Sequence, residues 1–242
     1  MSVRTSSTRE LRKRASKDAS ATKVTKKPKI SSKELNLYFK SYKGGLGDFH
    51  IPIFKSVNDI AKPTKVLYPG CHRHITASLI FEDVVYVDNY SKVQTLYDDP
   101  KALAWIDEHK EYNNDAKIKF KCKNFEGDFG EKVNSFDLIM SMSAGIVTKS
   151  GSKYLKKSGY FLVSDAHFDA RMINLDPNFK LTHVWQNDQF DYSEAALEGH
   201  FTTKDGKALT EAMVLESIDK PKAKRSFKLQ KEAIFYLFKK IK

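Results

Sequence analysis

Apolar positions along the chain fall into short runs separated by stretches with helical spacing. Residues 65–68, 84–87 (VVYV), 137–141 (DLIMS) and 160–164 (YFLVS) lack the regular apolar–polar alternation of a half-exposed strand. They predict strands buried on both faces. Residues 117–122 alternate and predict another strand, and 180–185 (KLTHVW) and 233–238 (AIFYLF) add a sixth and a last. Between them, 75–81 (ITASLIF) can follow the first strand as a helix. Val93, Leu96 and Tyr97 share one helical face, and Pro100 opens a helix carrying Trp105 and Ile106. Strands alternating with helices build a parallel sheet covered on both sides. The expected fold class is therefore α/β: a three-layer Rossmann-like sandwich whose mostly parallel sheet has about seven strands, the last of them antiparallel.

Charge divides the chain further. The formal net charge is +12, yet residues 1–33 carry 11 basic against 2 acidic side chains and residues 220–242 carry 9 against 1, leaving 34–219 at 22 against 27. A mildly acidic domain thus has basic ends. Residues 1–33 are rich in Ser, Thr, Lys and Arg and too poor in large apolar side chains to offset the entropy of ordering, which predicts a disordered tail. The domain then spans 34–242, with a polar, irregular insertion at 186–231 that holds one helix near 207–217. The clusters Arg12-Lys13-Arg14 and Lys26-Lys27-Pro28-Lys29 suit a nuclear address or an arm for nucleic acid; a solubilising tail is the plainer reading. Two cysteines, Cys71 and Cys122, in separate elements argue against a disulfide framework and for a reducing compartment. No apolar run is long enough to span a membrane. The expected location is intracellular, cytoplasmic or, if the tail is an address, nuclear.

In a doubly wound sheet, ligands bind beyond the carboxyl ends of the strands, where strand order reverses. The first strand ends in Tyr68-Pro69-Gly70-Cys71-His72-Arg73-His74, the second in Asp88-Asn89, the third in Asn124-Phe125 and the fourth in Met142-Ser143-Ala144-Gly145. The fifth ends in Asp165-Ala166-His167-Phe168-Asp169. Gly70 can take a positive φ and let a ligand approach the backbone. Asp88, about twenty residues past that turn, stands where an acid can accept hydrogen bonds from ribose hydroxyls. Together they suggest an adenosine-containing cofactor.

On these residues the chain resembles the S-adenosylmethionine-dependent methyltransferase superfamily with a Rossmann-like sheet, over roughly residues 62–186. VLYPG stands at the family's glycine-rich first motif and VVYVD at its ribose-binding acid. FDLIMSMSAG corresponds to its fourth strand and YLKKSGYFLVSD to its fifth. The resemblance implies S-adenosylmethionine as cofactor, with Tyr68, Pro69, Gly70 and Cys71 beside its methionyl part and Asp88 and Asn89 at the ribose. Asn124 and Phe125 would flank the adenine, and Ser143 would line the transfer site. The turn departs from the family's pattern in having one glycine and in placing Tyr68 where an acid is usual. A non-catalytic binding module of the same fold, brought to nucleic acid by the basic ends, is the alternative.

Two further chemistries are open to the strand ends. His167 can take a proton from an acceptor hydroxyl or amine, with Asp165 orienting its ring. Alternatively, His72 and His74 with Asp165, His167 and Asp169 have the ligand types of a metal-dependent hydrolase. Cys71 is a small packed residue or, beside a helix N-terminus, a nucleophile.

Overall fold

The computed structural model of the chain describes residues 32–218, 220, 221, 224 and 227–242. The predicted tail, apart from its last two residues, lies outside them. Ser32 and Lys33 already belong to the domain: Ser32 caps helix α1 (Lys33–Ser41), its hydroxyl accepting from Leu35 N at 3.1 Å. Such a cap satisfies one of the orphan N–H groups of a helix start. A loop leads to α2 (His50–Ala61), which buries Ile53, Phe54 and Val57 and stops where Lys62 turns left-handed.

Strands β1 (Val66–Pro69), β2 (Asp83–Asp88), β3 (Lys117–Cys122), β4 (Phe136–Ser141) and β5 (Leu155–Ser164) follow the predicted positions within a few residues. Beyond them come β6 (Phe179–Gln186), β7 (Gln189–Asp191) and β8 (Phe235–Lys240). They form one sheet in the order β3-β2-β1-β4-β5-β8-β6-β7. Strands β1 to β5 pair in parallel, and β8 runs antiparallel between β5 and β6. The sheet is Rossmann-like. It has eight strands, because a short hairpin adds β7 to the edge.

Alternation along the strands sorts the core into two layers. Val66, Tyr68, Val84, Tyr86, Leu138 and Met140 face α1, α2, Leu96 and Tyr97 of α3 (Gln94–Tyr97) and Trp105 and Ile106 of α4 (Pro100–His109). Leu67, Val85, Ile139, Phe161 and Val163 face the other way, toward Val147, Ala170 and Ile173. These belong to α5 (Val147–Gly151) and α6 (Asp169–Asn174). Strand order reverses between β1 and β4, so a crevice opens above their carboxyl ends.

The helix predicted over 75–81 is a single 3-10 turn, Thr76–Leu79. Side chains take the carbonyls that a longer helix would use: Tyr86 Oη donates to Ile75 O at 3.2 Å and Tyr112 Oη to Ser78 O at 2.8 Å. The insertion holds α7 (Glu194–Leu197) and α8 (Glu211–Ile218) and forms its own small core of Leu209, Val214 and Leu229 with Phe168. The basic C-terminal end is no tail, since β8 lies inside the sheet and Lys240 Nζ donates to Leu155 O at 2.8 Å. No described helix is long and apolar enough to cross a membrane.

Candidate functional site

The first turn is folded back on β2. Gly70 has φ +64, its N–H donates to Val87 O at 2.7 Å, and a Cβ added there would stand 2.1 Å from Ala144 Cβ. Glycine is therefore required by the loop after β4, which presses on the turn. Asp88 is buried, and both its oxygens accept from backbone: Oδ2 from His72 N at 2.8 Å and Oδ1 from Tyr90 N at 2.8 Å. Asp88, the residue expected at the ribose, thus ties the end of β2 to the first turn. His72, itself at positive φ, stacks its ring on Tyr90. Cys71 is buried and its thiol is pushed up by that burial, partly offset by a hydrogen bond with Tyr97, so it is a packing residue.

A cavity of about 620 Å³ opens at the carboxyl ends of β1, β4 and β5. Tyr68, Gly70, Cys71, Ser143 and Asp165 line it, whereas Pro69, Asp88, Asn89, Asn124, Phe125 and His167 do not. Asn124 is exposed and its Oδ1 accepts from Glu126 N at 3.0 Å. Phe125, partly buried, packs beside Gly70 and Ala144 against the core. Asp165 does not orient His167: its Oδ2 accepts from Arg171 Nε at 2.7 Å, while His167 is exposed. Asp165 Oδ1 is buried with no hydrogen-bond partner. Burial raises the Asp165 carboxyl, against the pull of the Arg171 guanidinium.

His50 and His74 also line the cavity, and Asp48 lies buried between them. Asp48, in the loop between α1 and α2, is buried at 4% exposure. Its Oδ1 accepts from His50 Nδ1 at 2.7 Å and from His50 N at 3.1 Å. Its Oδ2 meets His74 Nε2 at 2.6 Å and Thr76 Oγ1 at 2.5 Å. His74 Nδ1 lies 2.6 Å from Tyr68 Oη, and its ring stacks on Tyr42 at 4.4 Å. Burial works to raise the Asp48 carboxyl, but the hydrogen bonds from His50, His74 and Thr76 outweigh it and hold it well below the usual carboxylate range. Burial lowers His74, against the Asp48 bond, which keeps the imidazole neutral. The sequence carries this group as Asp48-Phe49-His50 ahead of the first strand, a spacing whose meaning appears only when His74 folds onto it.

The five side chains expected of a metal hydrolase are not brought together. His72 faces Tyr90 and Arg73, Asp165 pairs with Arg171, and Asp169 is buried, accepting from Ser141 Oγ, Val147 N and Thr148 Oγ1. Among the described residues, the group placed to share an ion is Asp48, His50 and His74, whose donor atoms lie within 4.8 Å of one another.

No protein-family model and no curated protein matches the sequence. Among solved structures, the chain is similar to the YcgJ protein of Bacillus subtilis at 16% identity and TM-score 0.32, over 54% of this chain and 49% of that one. It thus spans about half the length of that protein. A protein of Corynebacterium glutamicum is similar at 10% identity and TM-score 0.44, over 66% of this chain and 88% of that one. A SAM-dependent methyltransferase of Methanosarcina mazei is similar at 14% identity and TM-score 0.34, over 73% and 92%. Likenesses this distant carry no functional argument, and the fold stands on the strand order itself.

Proposed function

We propose that the cavity binds S-adenosylmethionine and that the protein transfers a methyl group to a small-molecule acceptor. One observation carries this reading: the cavity stands where strand order reverses, and Asp165, whose buried Oδ1 has no partner, is among the residues that line it. A buried acceptor left without a donor costs about 1–3 kcal/mol. An ammonium group, such as that of the cofactor's amino-acid end, would relieve it. Asp165 at the end of β5 would then offer a free carboxyl oxygen, beside its pairing with Arg171, where Tyr68 at the end of β1 has no acid to offer. The rings of Tyr42, Phe49, Tyr68 and Phe235 line the same space and suit a sulfonium cation. Burial pushes the Tyr42 hydroxyl up to about 12, so it stays neutral at pH 7. The volume lies within the range of small-molecule sites. When bound, the cofactor supplies a methyl group on a cationic sulfur; the protein's part is to hold it and exclude water. The acceptor would enter past Phe49 and Ile234, which are exposed at the rim, and lie against His50.

Isothermal titration calorimetry on the full chain tests this. S-adenosylmethionine and its demethylated product should each bind one to one, and Asp165→Asn should weaken both by at least about tenfold, or 1.4 kcal/mol. Absence of binding by the folded wild-type chain would overturn the reading.

A non-catalytic binding module is the second reading, and the first turn favours it, with its single glycine and with Tyr68 where the family has an acid. It expects a calorimetric blank with both ligands. Nucleic-acid contact through residues 1–33 belongs to the same reading, and deleting that segment should abolish salt-sensitive binding.

A further inference from the structure

We propose that Asp48, His50 and His74 form a binding site for one divalent transition-metal ion at the wall of the cavity. Imidazole nitrogens from two elements converge on one buried carboxylate: His50 Nδ1 from the start of α2 at 2.7 Å and His74 Nε2 from the turn after β1 at 2.6 Å. Two imidazoles and one carboxylate are the ligands that zinc, iron(II) and similar ions take. With metal–ligand bonds of about 2.0–2.1 Å, donor atoms around a tetrahedral ion stand about 3.3 Å apart, and the donor atoms here, each nitrogen beside its own oxygen of Asp48, lie within 4.8 Å of one another.

The surroundings have the form of a metal site's outer shell. His74 Nδ1 is held by Tyr68 Oη at 2.6 Å, which fixes the ring, and Asp48 Oδ2 is held by Thr76 Oγ1 at 2.5 Å. Thr76 Oγ1 is in turn 3.0 Å from Tyr38 Oη. Such partners orient ligands and set the tautomer. Among the described residues, no lysine or arginine pairs with Asp48, whose side-chain contacts are with the two histidines and Thr76. Both histidines line the cavity, which leaves the remaining coordination positions open toward a bound molecule. An ion there would hold an oxygen of that molecule and lower its pKa. The assignment does not depend on the cofactor reading, because the ion is titrated without cofactor.

The test is zinc and cobalt(II) titration of the chelator-treated full chain, with Cys122→Ser as background so that the exposed thiol adds nothing. One equivalent of zinc should bind, and cobalt(II) should give the visible ligand-field bands of a low-coordinate ion. His50→Gln, at the half-buried end of the group, should weaken zinc at least about 100-fold, beyond the 10–100-fold typical of outer-shell changes. His109→Gln, on α4 away from the cavity, should leave it unchanged. Asp48→Asn should abolish the cobalt bands. Should that variant unfold, His50→Gln, whose folding is checked by circular dichroism, decides alone. No stoichiometric zinc in the folded chain, or zinc held equally by His50→Gln, would overturn the proposal.

Discussion

Gly70→Ala probes the packing that shapes the cavity. The substitution adds a methyl group at φ +64, 2.1 Å from Ala144 Cβ, 3.4 Å from Ala144 Cα and 3.6 Å from Phe125 Cε1. Left-handed backbone costs an L-residue about 1–2 kcal/mol. Overpacking by one methyl adds about 1–3 kcal/mol, because neither the backbone of Ala144 nor the Phe125 ring can withdraw freely. The sum is about 2–5 kcal/mol. Urea unfolding followed through Trp105 and Trp185 reads it as a lower midpoint at unchanged slope. The two contributions separate in a double-mutant cycle. Ala144→Gly in the Gly70→Ala background removes the methyl–methyl clash and should restore about 1–3 kcal/mol, while the backbone cost stays. A Gly70→Ala midpoint equal to wild type, or no recovery with Ala144→Gly, would refute the claim that this glycine exists for the loop after β4.

Other substitutions follow from the same accounting. Asp169→Ala leaves the donors of Ser141, Val147 and Thr148 buried without their acceptor, and should destabilise by at least about 3 kcal/mol in chemical denaturation. Ser32→Ala removes the cap of α1 and should lower stability by about 1 kcal/mol. Glu131 is raised by burial but more strongly lowered by Lys121, Lys65 and Lys119, from 4.5 to about 2. Its folded value is depressed, so its stabilisation is complete above about 4.5 and is lost as pH falls toward 2. Unfolding of wild type against Glu131→Gln should therefore differ by on the order of 2 kcal/mol at pH 7 and converge near pH 2.

The sheet was legible because buried strands write themselves as apolar runs: VVYV and YFLVS sit in β2 and β5. Residues 75–81 were not, because their helical spacing competes with tertiary hydrogen bonds from Tyr86 and Tyr112 that no local pattern records. The β7 strand, Gln189–Asp191, is too short and polar to show a period. Of the strand-end residues named from the sequence, Tyr68, Gly70, Cys71, Ser143 and Asp165, at the tips of β1, β4 and β5, line the cavity. Asp88 stands at the end of β2, as the sequence places it, and the N–H groups that His72 and Tyr90 present to it come from a fold of the turn that no local pattern records. His72 and His74 stand two residues apart in the sequence, yet His74 bonds to Asp48 and Tyr68 while His72 stacks on Tyr90, because the left-handed turn at His72 sends the two rings to different neighbours.

A structure of the chain with S-adenosylhomocysteine at saturating concentration tests the central claim most directly. The ligand is predicted in the cavity above β1 and β4, its amino end toward Asp165 and its thioether among Tyr42, Tyr68 and Phe235. Density for the ligand elsewhere on the chain, or an empty cavity at that concentration, would contradict the assignment.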